Sequence, residues 1–119
     1  MARKSNPDLK KWLIHKLRRL SLQWPARTLA KQKAWVERGM YRCNACKDVY
    51  HYSNTHLDHI NPVVNVKEAF TTWDSYIESL FCDEGNFQVL CVSCHEAKTL
   101  LEDNLRTIYK KKLDKKKKK

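Results

Sequence analysis

Apolar residues recur at helical spacing in several places along this chain of 119 residues. Leu9, Trp12, Leu13, Leu17 and Leu20 fall on one stripe, with Lys10, Lys11, Lys16, Arg18 and Arg19 largely on other faces. Asn6-Pro7-Asp8 just ahead predicts the helix start: a capping side chain, a proline at the first helical position and an acid in the first turn. Leu22-Gln23-Trp24 breaks the period. Pro25 then opens a second helix carrying Leu29, Ala30, Ala34 and Trp35, which Gly39 is placed to end as a left-handed cap. The two helices predict a hairpin. Further on, Thr71 or Thr72 can cap a helix with Trp73, Tyr76, Ile77 and Leu80 on one face, ended by Asp83-Glu84-Gly85. Aromatic residues at that spacing belong to a core far more often than to a ligand platform. A last helix carries Ala97, Leu101, Leu105 and Ile108 as its apolar stripe.

The stretches between these helices have no helical period. Tyr41-Arg42 leads as a strand into Cys43-Asn44-Ala45-Cys46, a knuckle-like turn. Val49 to Leu57, with a turn at Ser53-Asn54, predicts a β-hairpin ending at Asp58-His59. Asn86-Phe87-Gln88-Val89-Leu90 leads into Cys91-Val92-Ser93-Cys94, and residues 63–70 fit no element. Together these predict an α+β fold, with no internal repeat.

Charge divides the chain into three. The net charge is +11, but residues 1–38 carry a net +9, residues 39–109 a net −5 and residues 110–119 a net +7. The predicted organisation is a basic helical extension over 1–39, a folded domain over 40–109, and a lysine-rich tail over 110–119 that loses order past Leu113. A basic–acidic–basic layout suits a protein that binds a polyanion around a cation-binding centre. Arg18, Arg19, Arg27, Lys31 and Lys33 are the phosphate-contact candidates of the extension; the alternative is a solvated basic face. His15 reads as a surface residue there. No run of apolar residues approaches transmembrane length, and the first residues lack the apolar segment of a secretory signal, so a cytoplasmic, reducing setting is expected.

In that setting the five cysteines favour metal over disulfides. A folded region of about 70 residues usually needs a staple, and Cys43, Cys46, Cys91 and Cys94 form two C-x-x-C pairs. Four thiolates suit tetrahedral zinc, which here would close the long segment between the pairs and contribute directly to folding. Cys82 has no partner at ligand spacing and reads as a buried thiol. With sulfur filling the zinc shell, His95 is left free beside the second pair. Asp58 and His95 could hold a hard divalent ion, His59 could take a proton from water, and Asn86 offers an amide carbonyl to orient the imidazole. Each has a bland alternative: a turn carboxylate, a core histidine, an Asx-turn residue.

Their joint order is more telling. C-x-x-C, Asp-His-Ile-x-Pro and Asn-Phe-Gln-x-Leu-Cys-x-x-Cys-His-x-x-Lys-Thr, spanning residues 24–100 with the flanking Trp24-Pro25, resemble the HNH endonucleases of the ββα-metal group, in particular small phage-encoded members with a basic helical N-terminus. The resemblance implies a zinc-stapled ββα-metal core and hydrolysis of DNA phosphodiester bonds with a Mg²⁺ or Mn²⁺ ion. It implies Asp58 and His95 as ligands of that ion, His59 as general base, Asn86 as the middle residue of the motif, and Lys98 as a basic position near phosphate. A host-cell cytoplasm and a phage protein partner would go with it. The polar residues before Leu57 and the lysine tail depart from the pattern; His56 is only a secondary ligand candidate, and it and His51 read as exposed hairpin residues. The rival reading is a non-catalytic nucleic-acid-binding module that keeps this fold, or a nuclease directed at RNA.

Overall fold

The computed structural model describes residues 8–67 and 70–117. It is an α+β structure with four helices and two small antiparallel sheets. Helix α1 (Leu9–Ser21) is capped by Asp8, whose carboxylate accepts from the amides of Lys10 and Lys11. Asp8 is thus the cap and not a first-turn residue; Asn6 and Pro7, the expected start, lie outside the described residues. Helix α2 (Pro25–Ala34) begins at its proline as expected.

Residues 35–39 differ from the prediction. Trp35 is extended, and Trp35–Glu37 forms strand β1, antiparallel to β2 (Met40–Arg42), with Gly39 at φ 76° in the connecting turn. Gly39 therefore permits a strand reversal instead of capping a helix. The aromatic and β-branched pair Trp35-Val36 favours the extended backbone. Strand β3 (Val49–His51) completes this sheet in the order β1-β2-β3.

The expected hairpin over residues 49–57 does not form. A single 3₁₀ turn at Tyr52–Asn54 sends the chain into β4 (Thr55–His59), which leaves the first sheet and pairs with β5 (Phe87–Cys91). Adjacent in sequence, β3 and β4 find their partners elsewhere: Tyr41 lies opposite Tyr50, and Leu57 opposite Val89. Strand β5 is the most buried element, because both of its faces are covered. Phe87 packs with Ala26 and Ala30 of α2 and with Leu57, while Leu90 packs with Cys43 and Cys91.

The N-terminal helices do not form the expected self-contained hairpin. α2 lies on β5, whereas α1 reaches towards α3 (Trp73–Leu80): Arg18 Nε donates to the Tyr76 hydroxyl at 3.2 Å, and the Lys10 ammonium sits 4.0 Å from the Phe70 ring centre. Helix α3 starts where predicted, with the Thr72 hydroxyl accepting from Ser75 N; Tyr76 and Leu80 are buried and Ile77 is exposed. It ends at Leu80, and a 3₁₀ turn over Glu84–Asn86 delivers the chain to β5.

Helix α4 (Val92–Lys117) follows β5 directly and extends four residues beyond Leu113, where loss of order is predicted. Its buried face is not the expected apolar stripe. Ala97, Leu101 and Ile108 are exposed, and the residues turned towards the strands include His95, Lys98, Glu102 and Arg106. Among the described residues no helix is long and apolar enough to cross a membrane.

Candidate metal centre and nucleic-acid cleft

The two C-x-x-C turns meet at the end of β5. One donor sulfur from each of Cys43, Cys46, Cys91 and Cys94 lies within 4.8 Å of all the others. A tetrahedral ion with Zn–S bonds of about 2.3 Å has sulfur–sulfur edges of roughly 3.8 Å, so the four fit such an ion with little closing. The two turns match: Cys46 N donates to Cys43 Sγ and Cys94 N to Cys91 Sγ, each at 3.5 Å. Lys47 follows the first turn at φ 68°, and its amide returns to the Cys43 carbonyl.

The thiols differ sharply in acidity. Burial pushes Cys43 up, but backbone amides of Cys91, Cys46 and Ala45 outweigh it and hold the thiol at about 6. The Cys94 amide likewise lowers Cys91, while contact with Cys91 and burial push Cys94 up to about 12. The Tyr50 hydroxyl, 3.4 Å from Cys46 Sγ, is raised by that sulfur. The spread follows from unequal hydrogen bonding: backbone amides reach Cys43 and Cys91, whereas Cys94 is raised mainly by its contact with Cys91 and by burial. The cluster could hold a structural metal such as zinc. Cys82 stands apart, half-buried beside Trp24, whose indole nitrogen donates to the Cys82 carbonyl at 2.7 Å.

A second polar group gathers three residues upstream on β5. Asp58 on β4 lies opposite Gln88, and Gln88 Nε2 donates to Asp58 Oδ2 at 3.0 Å. His95, in the first turn of α4, brings Nε2 to 3.9 Å from Asp58 Oδ1. That gap is wider than a direct hydrogen bond, so the two groups face each other without bonding. Lys98, one turn further, places Nζ 3.1 Å from Asp58 Oδ2 and 3.0 Å from the His59 carbonyl, and also pairs with Glu102. Burial depresses its ammonium, but Glu102 and Asp58 prevail and raise its pKa.

His59 packs against Phe87, its cross-strand partner, with ring centres 4.7 Å apart and planes inclined at 51°. Its Nε2 lies 3.1 Å from the Leu80 carbonyl, an acceptor only, so Nε2 carries the proton and Nδ1 is left with a lone pair. Burial holds the pKa below the usual 6.5; the Leu80 carbonyl opposes this, and the Arg27 charge adds to it. Asn86 does not orient this ring. Its Oδ1 accepts from Asn61 N at 3.1 Å and its carbonyl accepts from Ile60 N, so it straps the chain leaving β4. The orienting role falls to Leu80, whose side-chain type gives no hint of what its backbone carbonyl will meet.

Asp58, His59, Lys98, Glu102, Arg18 and Arg106 line one cleft of about 490 Å³. Of the six basic residues singled out in the sequence, only Arg18 and Lys98 reach it. Arg27 lies over Phe87, Lys33 pairs with Glu84 at 3.2 Å, and Arg19 and Lys31 are exposed. Arg106, which Nη2 ties to the Val64 carbonyl at 2.9 Å, was hidden by its place on a helix read only for its apolar stripe. His56 is exposed on β4 and lies against His95, with ring centres 4.7 Å apart. His15 and His51 are exposed, and the latter accepts from Ser53 N. The comparisons add no relative: no protein-family model, curated protein or solved structure matches the chain.

Proposed function

We propose that the chain is a metal-dependent endonuclease of the HNH type that hydrolyses DNA phosphodiester bonds. One observation carries the reading: Asp58, His59 and Lys98, brought from β4 and α4, line one cleft with Arg18 and Arg106, and His95 stands 3.9 Å from Asp58 beside it. The family resemblance implies two antiparallel strands and a helix around a small cation site, and the reading assigns β4, β5 and α4 to those three elements.

Phosphodiester hydrolysis forms a bond from water oxygen to phosphorus and breaks the bond to the 3′ oxygen. His59 accepts the water proton at Nδ1; its Nε2 contact with Leu80 fixes the tautomer, and its depressed pKa keeps it neutral at pH 7. Asp58 and His95 would hold the divalent ion, which supplies charge stabilisation to the phosphate and the leaving oxygen when bound. Arg18 and Arg106 flank the phosphate path. In this reading Cys43, Cys46, Cys91 and Cys94 hold structural zinc, and the lysine-rich tail adds sequence-independent attraction for DNA.

The pairing of Asp58 with Lys98 favours one rival, a nucleic-acid-binding module whose carboxylate is already neutralised by the protein. Supercoiled plasmid incubated with Mg²⁺, Mn²⁺ or chelator separates the two. Nicking or linearisation that needs the ion and fails in Asp58→Ala supports the nuclease; DNA binding without cleavage under any divalent ion supports the module, and cleavage confined to RNA makes the substrate RNA.

A further inference from the structure

Asp58 is connected to the cysteine turn by an unbroken chain of side-chain hydrogen bonds. Lys47 Nζ donates to Asn44 Oδ1 at 3.3 Å, Asn44 Nδ2 donates to Gln88 Oε1 at 2.8 Å, and Gln88 Nε2 donates to Asp58 Oδ2 at 3.0 Å. The two ends leave no freedom in the direction of these bonds. An ammonium only donates and an ionised carboxylate only accepts, so each amide between them has one orientation that satisfies both neighbours. Asn44 lies between the two cysteines of the first pair, and its backbone amide is tied to the Val89 carbonyl at 2.8 Å. Its side chain is therefore placed by the same turn that gathers the sulfurs. Gln88 is half-buried on β5, directly opposite Asp58.

From this geometry we infer that Asn44 and Gln88 are positioning residues: they transmit the placement of the cysteine turn to the Asp58 carboxylate, and so set its readiness for a divalent cation. Gln88 holds Oδ2, which leaves Oδ1, the oxygen facing His95, to point at the cation. A glutamine serves this purpose where a second carboxylate would repel Asp58 and an apolar residue would let it turn. The polar Gln88 on a buried strand, unexplained by packing, has this as its reason. Order in the cysteine turn and order at Asp58 are thereby coupled, and by linkage the coupling runs both ways.

The inference rests on the nuclease reading only for the use made of the cation; the hydrogen-bond chain can be read without it. The test uses the full chain with zinc bound. In the absence of Mg²⁺ or Mn²⁺, Asn44→Ala should shift the side-chain amide resonances of Gln88, and Asp58→Asn should shift them as well. Mn²⁺ binding, followed by electron paramagnetic resonance, should weaken roughly 10- to 100-fold in Gln88→Leu, the range usual for groups that hold a metal ligand in place. Asn44→Ala should weaken it less, and the double variant should be no worse than Gln88→Leu alone, because the links act in series. Zinc content and melting temperature should stay near wild type in both single variants. Unmoved Gln88 resonances in Asn44→Ala, or strictly additive losses in the double variant, would overturn the inference. If the Gln88 resonances respond but wild type and Asp58→Ala bind Mn²⁺ equally, the positioning chain stands and the nuclease reading falls.

Discussion

The cysteine cluster and the Asp58 cluster share strand β5, yet they balance charge in opposite ways. The sulfurs are surrounded by one another, by backbone amides and by a tyrosine hydroxyl. Asp58 already faces an ammonium, an amide and an imidazole. A cation at the first cluster would tie the 43–46 turn to β5 and α4; a cation at the second would have to share its carboxylate with Lys98. The first arrangement suits a permanent structural ion. In the proposed nuclease the second would suit an ion that arrives with substrate, with Lys98 turning to a phosphate as the ion takes its place. The difference teaches that proximity of ligands alone does not define a metal site's role; the charge that the protein has already placed there matters as much.

The strongest way to break this contrast is to disrupt each cluster separately. Cys43→Ser or Cys94→Ser should unfold the 40–109 region, because a structural zinc contributes on the order of 10 kcal/mol of apparent binding energy. Asp58→Ala should leave the melting curve almost unchanged. Elemental analysis should find one tightly held zinc per chain, and a zinc-free protein that melts as wild type does would remove the distinction.

Next in size is the effect of His59→Ala, which should lower cleavage by roughly 10²- to 10⁴-fold with DNA affinity retained. For wild type the direction with pH follows from burial. The folded-state pKa of His59 lies below 6.5, so the neutral base is lost only as pH falls through that lower value. Cleavage should therefore rise with pH in the acidic range and level off by neutrality. A variant that cleaves like wild type would place the base elsewhere.

Lys98→Met probes the shared carboxylate directly. Removing the ammonium should lower the Mn²⁺ concentration for half-saturation by about 30-fold, since two unit charges about 4 Å apart interact by about 1 kcal/mol even in bulk water and the ion carries two. Unchanged binding would mean that Lys98 does not compete with the ion. The smallest effect concerns neither cluster. Deleting residues 110–119 should leave the rate at saturating DNA intact, while the slope of log affinity against log salt falls by about 0.9 for each phosphate that the tail neutralises. A truncated protein with the full slope would exclude the tail from binding.

What could be read from the sequence was whatever short-range spacing determines. The C-x-x-C pairs marked a cluster because two-residue gaps bring sulfurs together locally, and the Thr72 cap and Pro25 start are likewise local signals. Asp58 and His95 were recognisable as a pair through the family-like order of residues, and they do face each other. Long-range pairing was not legible. Nothing in Val49–His59 shows that its two strands belong to different sheets, because a turn signal is the same whether the strands it joins pair or part. Helix α4 misled for a different reason. Its apolar residues form a stripe, but the site claims the neighbouring face for His95, Lys98 and Glu102, leaving Leu101 and Ile108 exposed. Gln88 escaped notice because a lone polar residue in a strand normally marks its solvent side.

The absence of a loop between β5, which ends at Cys91, and α4, which starts at Val92, has its own consequence. Strand register and helix phase are locked together, so Gln88, Cys91, Cys94, His95 and Lys98 behave as one continuous ruler. Each residue of an α-helix turns the chain by about 100°. One residue inserted between Cys94 and His95 would keep all four sulfurs but swing His95 and Lys98 about a quarter turn away from Asp58. The segment from β4 to α3 is tied to the site through Asn61 and Val64 near its start, so beyond Val64 it can change length without rephasing α4. Over the lifetime of such a chain, insertions should collect there and be purged from the stretch between Cys91 and Lys98.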